Sequence, residues 1–326
     1  MTATGAAPAP EVPPRTIPIP TSVSPEAQAY LASPPTVPPM TYPPLQDLAG
    51  WRKLAASIDD LVLSALKALN PAGSVVGHTG IGNAGVFTIA PPNASPDDAR
   101  ICLDIHGGGL ITGGGECCRA TGIFTATRFG MHTWTVDYRM PPDHPYPAGL
   151  DDCVAAYRAL LEEREPRQIV VTGISAGANL AAALILRARD EGLPLPAAAL
   201  LLTPELDLTE SGDSFQTNLG IDTVLTHSLM AQNLLYANGG ELADPYLSPL
   251  FGDFSAGFPP TFLASGTRDL FLSNTVRMHR ALRAADIPAD LHVLEAAPHG
   301  LLPRTPEDEE FLRDLRGFID ARCPAE

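Results

Sequence analysis

From about residue 85 onward the chain alternates short apolar runs with helical stretches, and few arrangements bury such a pattern. The spacing predicts strands over 85–90, 100–105, 131–138 ("MHTWTVDY"), 167–174 ("RQIVVTGI"), 197–203, 259–266 and 289–295. Between and after them it predicts helices over 116–129, 149–165, 176–191, 273–285 and 306–321. Strands separated by helices imply βαβ units and a mostly parallel sheet covered on both faces. Ahead of this region, 25–32 and 46–69 read as helices, the second stopped at Asn70-Pro71. The interval from Pro204 to Pro249 breaks the rhythm and holds a further helical candidate over 223–236. Insertions of that length usually act as lids or binding elements.

Bulk properties exclude some functions. The 326 residues carry a net charge of −16, which argues against a nucleic-acid partner and against anionic membranes. No stretch of ~18 or more uncharged apolar residues is present, so no transmembrane helix is expected. The start, "MTATGAAPAPEVPPRTIPIP", lacks the charged and apolar blocks of a secretory signal, and its first ~20 residues have the composition of a disordered tail. Five cysteines without metal-type CxxC spacing, including the adjacent Cys117–Cys118, read as free thiols, which fits a reducing cytoplasm.

The stretch "VVTGISAGANLAAALI" carries the chemistry. A buried strand ends at Gly173, Ser175 sits in Gly-x-Ser-x-Gly, and a helix begins at once, the context in which such a serine becomes an exposed nucleophile. Earlier, "CLDIHGGGLITGGGE" runs a buried strand into His106 and three glycines. Glycines there let the backbone approach a substrate and aim N–H groups at a developing oxyanion. Gly108 and Gly109 are the expected donors, with the Ala176 N–H as the third. The second triplet, Gly113–Gly115, reads as a turn into the next helix. Gly80–Gly85 fits GxGxxG, but it precedes a strand where a dinucleotide site must follow one, so it reads as a loop.

The sequence resembles the bacterial hormone-sensitive-lipase-like (family IV) esterases of the α/β-hydrolase superfamily. "HGGG", "GISAG" and "DYRMPPDHPYPAGLDD" match that family's signatures in its order, with cover over about 71–322. The resemblance implies an eight-stranded, mostly parallel sheet. It implies a catalytic core over 71–204 and 249–326, with cap and lid elements over 1–70 and 205–248. It further implies carboxylic ester hydrolysis through an acyl-enzyme, no metal or organic cofactor, and a small ester or lactone as substrate. A homodimer is the candidate assembly. His106 would brace the glycine loop, and Tyr138, Arg139 and Asp151 would serve as scaffold.

The hydrolase order of serine, acid, histidine selects the remaining members. His299 lies in the loop after the last strand, whereas His292 lies within it. Asp269 follows the preceding strand, and Asp207, after the strand before that, is its rival. Asp207 and Glu205 sit where the lid begins and are candidates for substrate contact. Three features depart from the family pattern: Ile174 replaces the usual Asp or Thr before the nucleophile, Ala178 a common glycine, and Glu205 a frequent aromatic. Lactone hydrolysis by the same triad is the rival activity. The rival of another class is a silent binding protein on this scaffold, like the gibberellin receptors, which lack the catalytic histidine.

Overall fold

A computed structural model describes residues 13–33 and 41–325. Eight strands form one sheet among them: β1 (Val75–Ile81), β2 (Ala84–Ala90), β3 (Ile101–Ile105), β4 (His132–Asp137), β5 (Ile169–Ile174), β6 (Ala198–Leu202), β7 (Thr261–Gly266) and β8 (Ala289–Leu294). Their spatial order is β1-β2-β4-β3-β5-β6-β7-β8. The β1–β2 and β2–β4 pairs are antiparallel, and every pair from β4 to β8 is parallel. The helices are α1 (Pro25–Leu31), α2 (Leu48–Leu69), α3 (Glu116–Phe129), α4 (Ala148–Glu163), α5 (Ala176–Asp190), α6 (Ser214–Thr217), α7 (Met230–Ala237), α8 (Leu272–Ala284) and α9 (Pro306–Arg322).

Burial on both faces explains why β3, β5, β6 and β7 read as mostly apolar runs without alternation. One core lies on the α4, α5 and α8 side, where Leu150, Leu180, Leu184 and Met278 pack against Leu103, Val171 and Leu201. The other lies under α9, where Phe311, Leu315 and Phe318 meet Val170, Leu200 and Phe262. Helix α1 docks on that second core through Ala27 and Leu31. The Ser24 main-chain nitrogen and hydroxyl, at its N-cap, donate to Glu307 of α9 at 2.6 and 2.8 Å.

Strand β1, the short helix α6 and the insert helix α7 differ from the sequence reading. Strand β1 was not expected, because it is an edge strand with mostly exposed residues and no clean alternation. Gly80 and Ile81 of the GxGxxG stretch end β1, Gly82 and Asn83 make the hairpin turn, and Ala84 and Gly85 open β2. In the insert, the helix expected over 223–236 forms only from Met230, and residues 218–229 are irregular. Of the tail expected over the first ~20 residues, 1–12 lie outside the described residues. Farther along it, the Pro18 carbonyl accepts a hydrogen bond from Arg268 Nη2 at 2.7 Å.

Candidate active site

Strand β5 delivers Ser175 to the sheet's carboxyl edge. The residue takes φ 59° and ψ −126°, a strained conformation for a side chain with a Cβ. Its N–H is held by the Leu202 carbonyl at 2.9 Å. The flanking glycines are dictated by contact. A Cβ at Gly173 would sit 2.3 Å from the Gly177 main chain, and one at Gly177 would sit 1.9 Å from the Ile105 carbonyl oxygen. The turn therefore closes only with hydrogen at both positions, and α5 starts immediately behind the serine.

The glycine loop after β3 lies beside this turn. Gly108 has φ +122°, and a Cβ there would meet the Thr112 carbonyl oxygen at 2.2 Å. Among the described residues, the N–H groups of Gly108, Gly109 and Ala176 have no protein acceptor. His106 is buried beneath the loop. Its Nδ1 lies 2.8 Å from the Gly107 carbonyl, and its ring stacks on Tyr138 at 4.1 Å. The Tyr138 hydroxyl donates to the His106 carbonyl at 3.0 Å. Arg139 pairs with Asp152 at 2.8 Å, and Asp151 pairs with Arg187. The second glycine triplet enters α3 as expected, and the Gly113 N–H donates to Asp59 of α2 at 2.7 Å.

Asp269 and His299 come together. His299 Nδ1 lies 3.2 Å from Asp269 Oδ1, and both side chains are buried. Asp269 is fixed by two further donors, the Ser265 hydroxyl at 2.7 Å and the Phe271 N–H at 2.9 Å. Burial pulls the imidazole's pKa down. The hydrogen bond and charge of Asp269, helped by Asp222 and Glu205, more than offset that and leave it above the ordinary histidine value. His292 instead stacks on Phe262 at 4.2 Å and faces Asp314.

Asp207 is fully buried away from this pair. It accepts from Arg277 and Ser211 at 2.6 Å each, and from Thr209. Glu205 is also fully buried, and neither of its carboxylate oxygens has a hydrogen-bond partner among the described residues. Burial, with Glu210 adding to it, pushes the Glu205 pKa up to about 8. Neither residue lines the cavity described next.

A cavity of about 390 Å³ opens over Ser175. Its wall includes His299, Gly108 and Gly109 from the sheet edge, Ile58 and Leu66 from α2, and Val224 and Leu225 from the insert. Ile174 contributes to the same wall, so the residue before Ser175 presents an apolar surface. Cys117 also lines it, and burial first, then Asp59, pushes that thiol up to about 11. All five cysteines are free and buried. Behind the glycine loop, His106, Cys118 and Asp137 offer donor atoms within 4.8 Å of one another. There the His106 Nδ1 is engaged by Gly107, and Asp137 accepts the Gly115 N–H at 2.9 Å.

Sequence reasoning missed Asp222. This buried carboxylate accepts main-chain N–H groups from Val224 and Leu270, at 2.8 and 2.9 Å, and from His299 at 3.3 Å. It lies in the irregular part of the insert, where no periodicity or motif marks it.

The family model of the α/β hydrolase fold matches residues 102–303. Fold and match define the class, an α/β hydrolase. An esterase of Acinetobacter venetianus is 32% identical over 60% of this chain, and the match spans just under two thirds (65%) of that protein. An acetyl-hydrolase of Streptomyces hygroscopicus is 32% identical over 65% of this chain and 73% of its own length. The crystal structure of esterase E25 superposes with a TM-score of 0.89 at 35% identity, over 97% of this chain and 99% of that one. An esterase of the bacterial hormone-sensitive lipase family superposes with a TM-score of 0.79 at 26% identity, over 92% and 99%. The chain belongs to the α/β-hydrolase fold family and, within it, to the hormone-sensitive-lipase-like (family IV) esterases.

Proposed function

We propose that the protein hydrolyses short- to medium-chain carboxylic esters through a Ser175 acyl-enzyme. One observation carries the reading: Ser175, held at a strained turn, shares a cavity wall with His299, whose far ring nitrogen is held by Asp269. In this mechanism His299 Nε2 takes the serine proton as Oγ attacks the ester carbonyl, and later protonates the departing alcohol. Asp269 keeps the proton on Nδ1, so that Nε2 is free to accept, and stabilises the imidazolium as it forms. The unoccupied N–H groups of Gly108, Gly109 and Ala176 receive the oxyanion, and the dipole of α5 adds to them. Water then attacks the acyl-enzyme by the same steps. No step requires a metal or an organic cofactor.

The cap reading belongs to the same proposal. Described residues of the N-terminal segment up to residue 70 and of the insert over 205–248 roof the serine, and both contribute wall to the cavity, Tyr42 and Ile58 from the first, Val224 and Leu229 from the second. A volume of about 390 Å³ lies at the lower end of small-molecule sites. It suits a short acyl chain and excludes a whole triglyceride. The test is kcat/KM for p-nitrophenyl esters of rising chain length, a set of small lactones and an emulsified triglyceride. The account expects a maximum at short to medium chains. A maximum at the longest chains with activation at an oil–water interface contradicts it, as does a lactone preferred tenfold over every open ester.

A further inference from the structure

One wall of the cavity is polar, and its hydrogen bonds run in one direction. Tyr42 has a single hydroxyl proton, and it goes to Gln232 Oε1 at 3.1 Å. His227 Nε2, 2.9 Å from the same phenol oxygen, must therefore donate to it. Nδ1 of that ring, 3.1 Å from the Thr226 hydroxyl, is left to accept. Burial holds the His227 pKa below its ordinary value, with Glu210 opposing, so the ring stays neutral and keeps one donor and one acceptor nitrogen. The phenol is itself fixed: Tyr42 stacks on buried Trp51 with ring centroids 5.6 Å apart, and Trp51 Nε1 donates to the Pro44 carbonyl at 3.1 Å.

The hydrogen bond from Tyr42 holds Gln232 by its carbonyl oxygen. Its carbonyl is turned to Tyr42, so its NH₂ group is turned away, and among the described residues that nitrogen has no protein acceptor. The amide packs on the glycine loop, where a Cβ added at Gly109 would meet Gln232 Nε2 at 2.9 Å and Oε1 at 3.0 Å. Tyr42, His227 and Gln232 all line the cavity with Ser175, Gly108 and Gly109. An unpaired amide donor facing an apolar chain loses its bond to water and gains nothing, whereas facing an ether or carbonyl oxygen it is satisfied.

From this we infer that the Gln232 amide is a substrate-binding donor beside the glycine loop, and that the cavity takes esters bearing a second acceptor oxygen a few bonds from the scissile carbonyl. Alkoxy-, oxo- and hydroxy-acyl esters have that chemistry, and plain alkanoates lack it. The inference rests on the ester-hydrolase reading and deepens it.

A matched pair of substrates tests it. p-Nitrophenyl 3-methoxypropanoate and p-nitrophenyl pentanoate differ by one oxygen in place of one methylene. Their kcat/KM ratio is measured on the full chain and on the variants Gln232→Met and Tyr42→Phe. The intrinsic reactivity of each ester cancels when ratios are compared between proteins. The methoxy-to-pentanoate ratio is expected to fall about five- to tenfold in Gln232→Met, the worth of one neutral hydrogen bond. It should fall by at least about twofold in Tyr42→Phe, where the amide persists but loses its orienting partner. A ratio unchanged or raised in Gln232→Met overturns the inference, because a merely structural glutamine would slow both esters alike. Should Gln232→Met fail to fold, Tyr42→Phe decides in the same way. Ser175→Ala keeps the two ideas apart: if it still turns over both esters the ester-hydrolase reading fails, whereas an unmoved ratio with an inactive Ser175→Ala sinks only the Gln232 inference.

Discussion

The Asp222 carboxylate holds the main-chain N–H of His299, with its two oxygens 3.3 and 3.4 Å from that nitrogen. The same side chain accepts from the Leu270 N–H, next to Asp269. One residue of the insert thus ties together the loops after β7 and β8, which carry the proposed acid and base. An aspartate bonded to several N–H groups contributes through charge-assisted hydrogen bonds, and an amide in its place makes weaker neutral ones. Asp222→Asn is therefore expected to lower kcat by about tenfold, equivalent to ~1.4 kcal/mol, with a smaller change in KM. Steady-state kinetics with a thermal melt check this. A variant with unchanged kcat and Tm removes Asp222 from the positioning machinery.

Asp269→Asn and Asp207→Asn separate the two candidate acids. Asp269 contacts the His299 ring, whereas Asp207 is committed to Arg277, Ser211 and Thr209. Loss of the acid leaves the histidine in the wrong tautomer and costs on the order of 10⁴ in rate. Asp207→Asn should cost far less in rate and act mainly on stability, because its carboxylate is an ion-pair partner of Arg277. Side-by-side kcat values with the reverse ranking would mean that the histidine takes its orientation from elsewhere.

The sequence made the parallel sheet legible because strands buried on both faces read as mostly apolar runs, set apart by helical stretches. Ser175 and the glycine loop were legible for a related reason. Close backbone contact at Gly173 and Gly177, and a positive φ at Gly108, leave glycine little competition, so the constraint is written in residue identity. Asp269 could be chosen only by its position after a strand and its spacing to His299, since nothing local distinguishes it from Asp207. Strand β1 escaped because an exposed edge strand buries too little to impose alternation. Asp222 and the Tyr42–His227–Gln232 relay escaped for a deeper reason. The contacts that bring them to the site span 48 to 190 positions of the chain, and no local pattern encodes contacts of that range.

The pH profile follows from the His299 environment. Its pKa is raised above the ordinary 6.5, and only the neutral imidazole can take the Ser175 proton. Below its pKa the ring is already protonated, so kcat/KM should rise with pH through a value above 6.5. Asp269→Asn removes the main stabiliser of the charged form, so the acid limb should move to lower pH as the maximum rate falls. A wild-type limb below 6.5, or a limb unmoved in the variant, contradicts the assignment.

Gly108→Ala tests the oxyanion loop. A methyl there collides with the Thr112 carbonyl oxygen at 2.2 Å and forces a φ that alanine avoids, so the loop must shift. Losing one aligned donor costs roughly 10²–10³ in kcat, and the effect on KM should be small because the donors act mainly in the transition state. If KM alone rises, the loop binds the ground state and is not an oxyanion hole.

The central claim is that Ser175 is the nucleophile of an ester hydrolase, and a single comparison tests it most directly. Wild type and Ser175→Ala are assayed with p-nitrophenyl butyrate under single-turnover and steady-state conditions, with folding checked by circular dichroism and melting temperature. The account predicts a folded variant whose kcat is lower by on the order of 10⁶, with no acyl-enzyme detectable by mass. A folded Ser175→Ala protein that keeps more than a few per cent of wild-type turnover would contradict it.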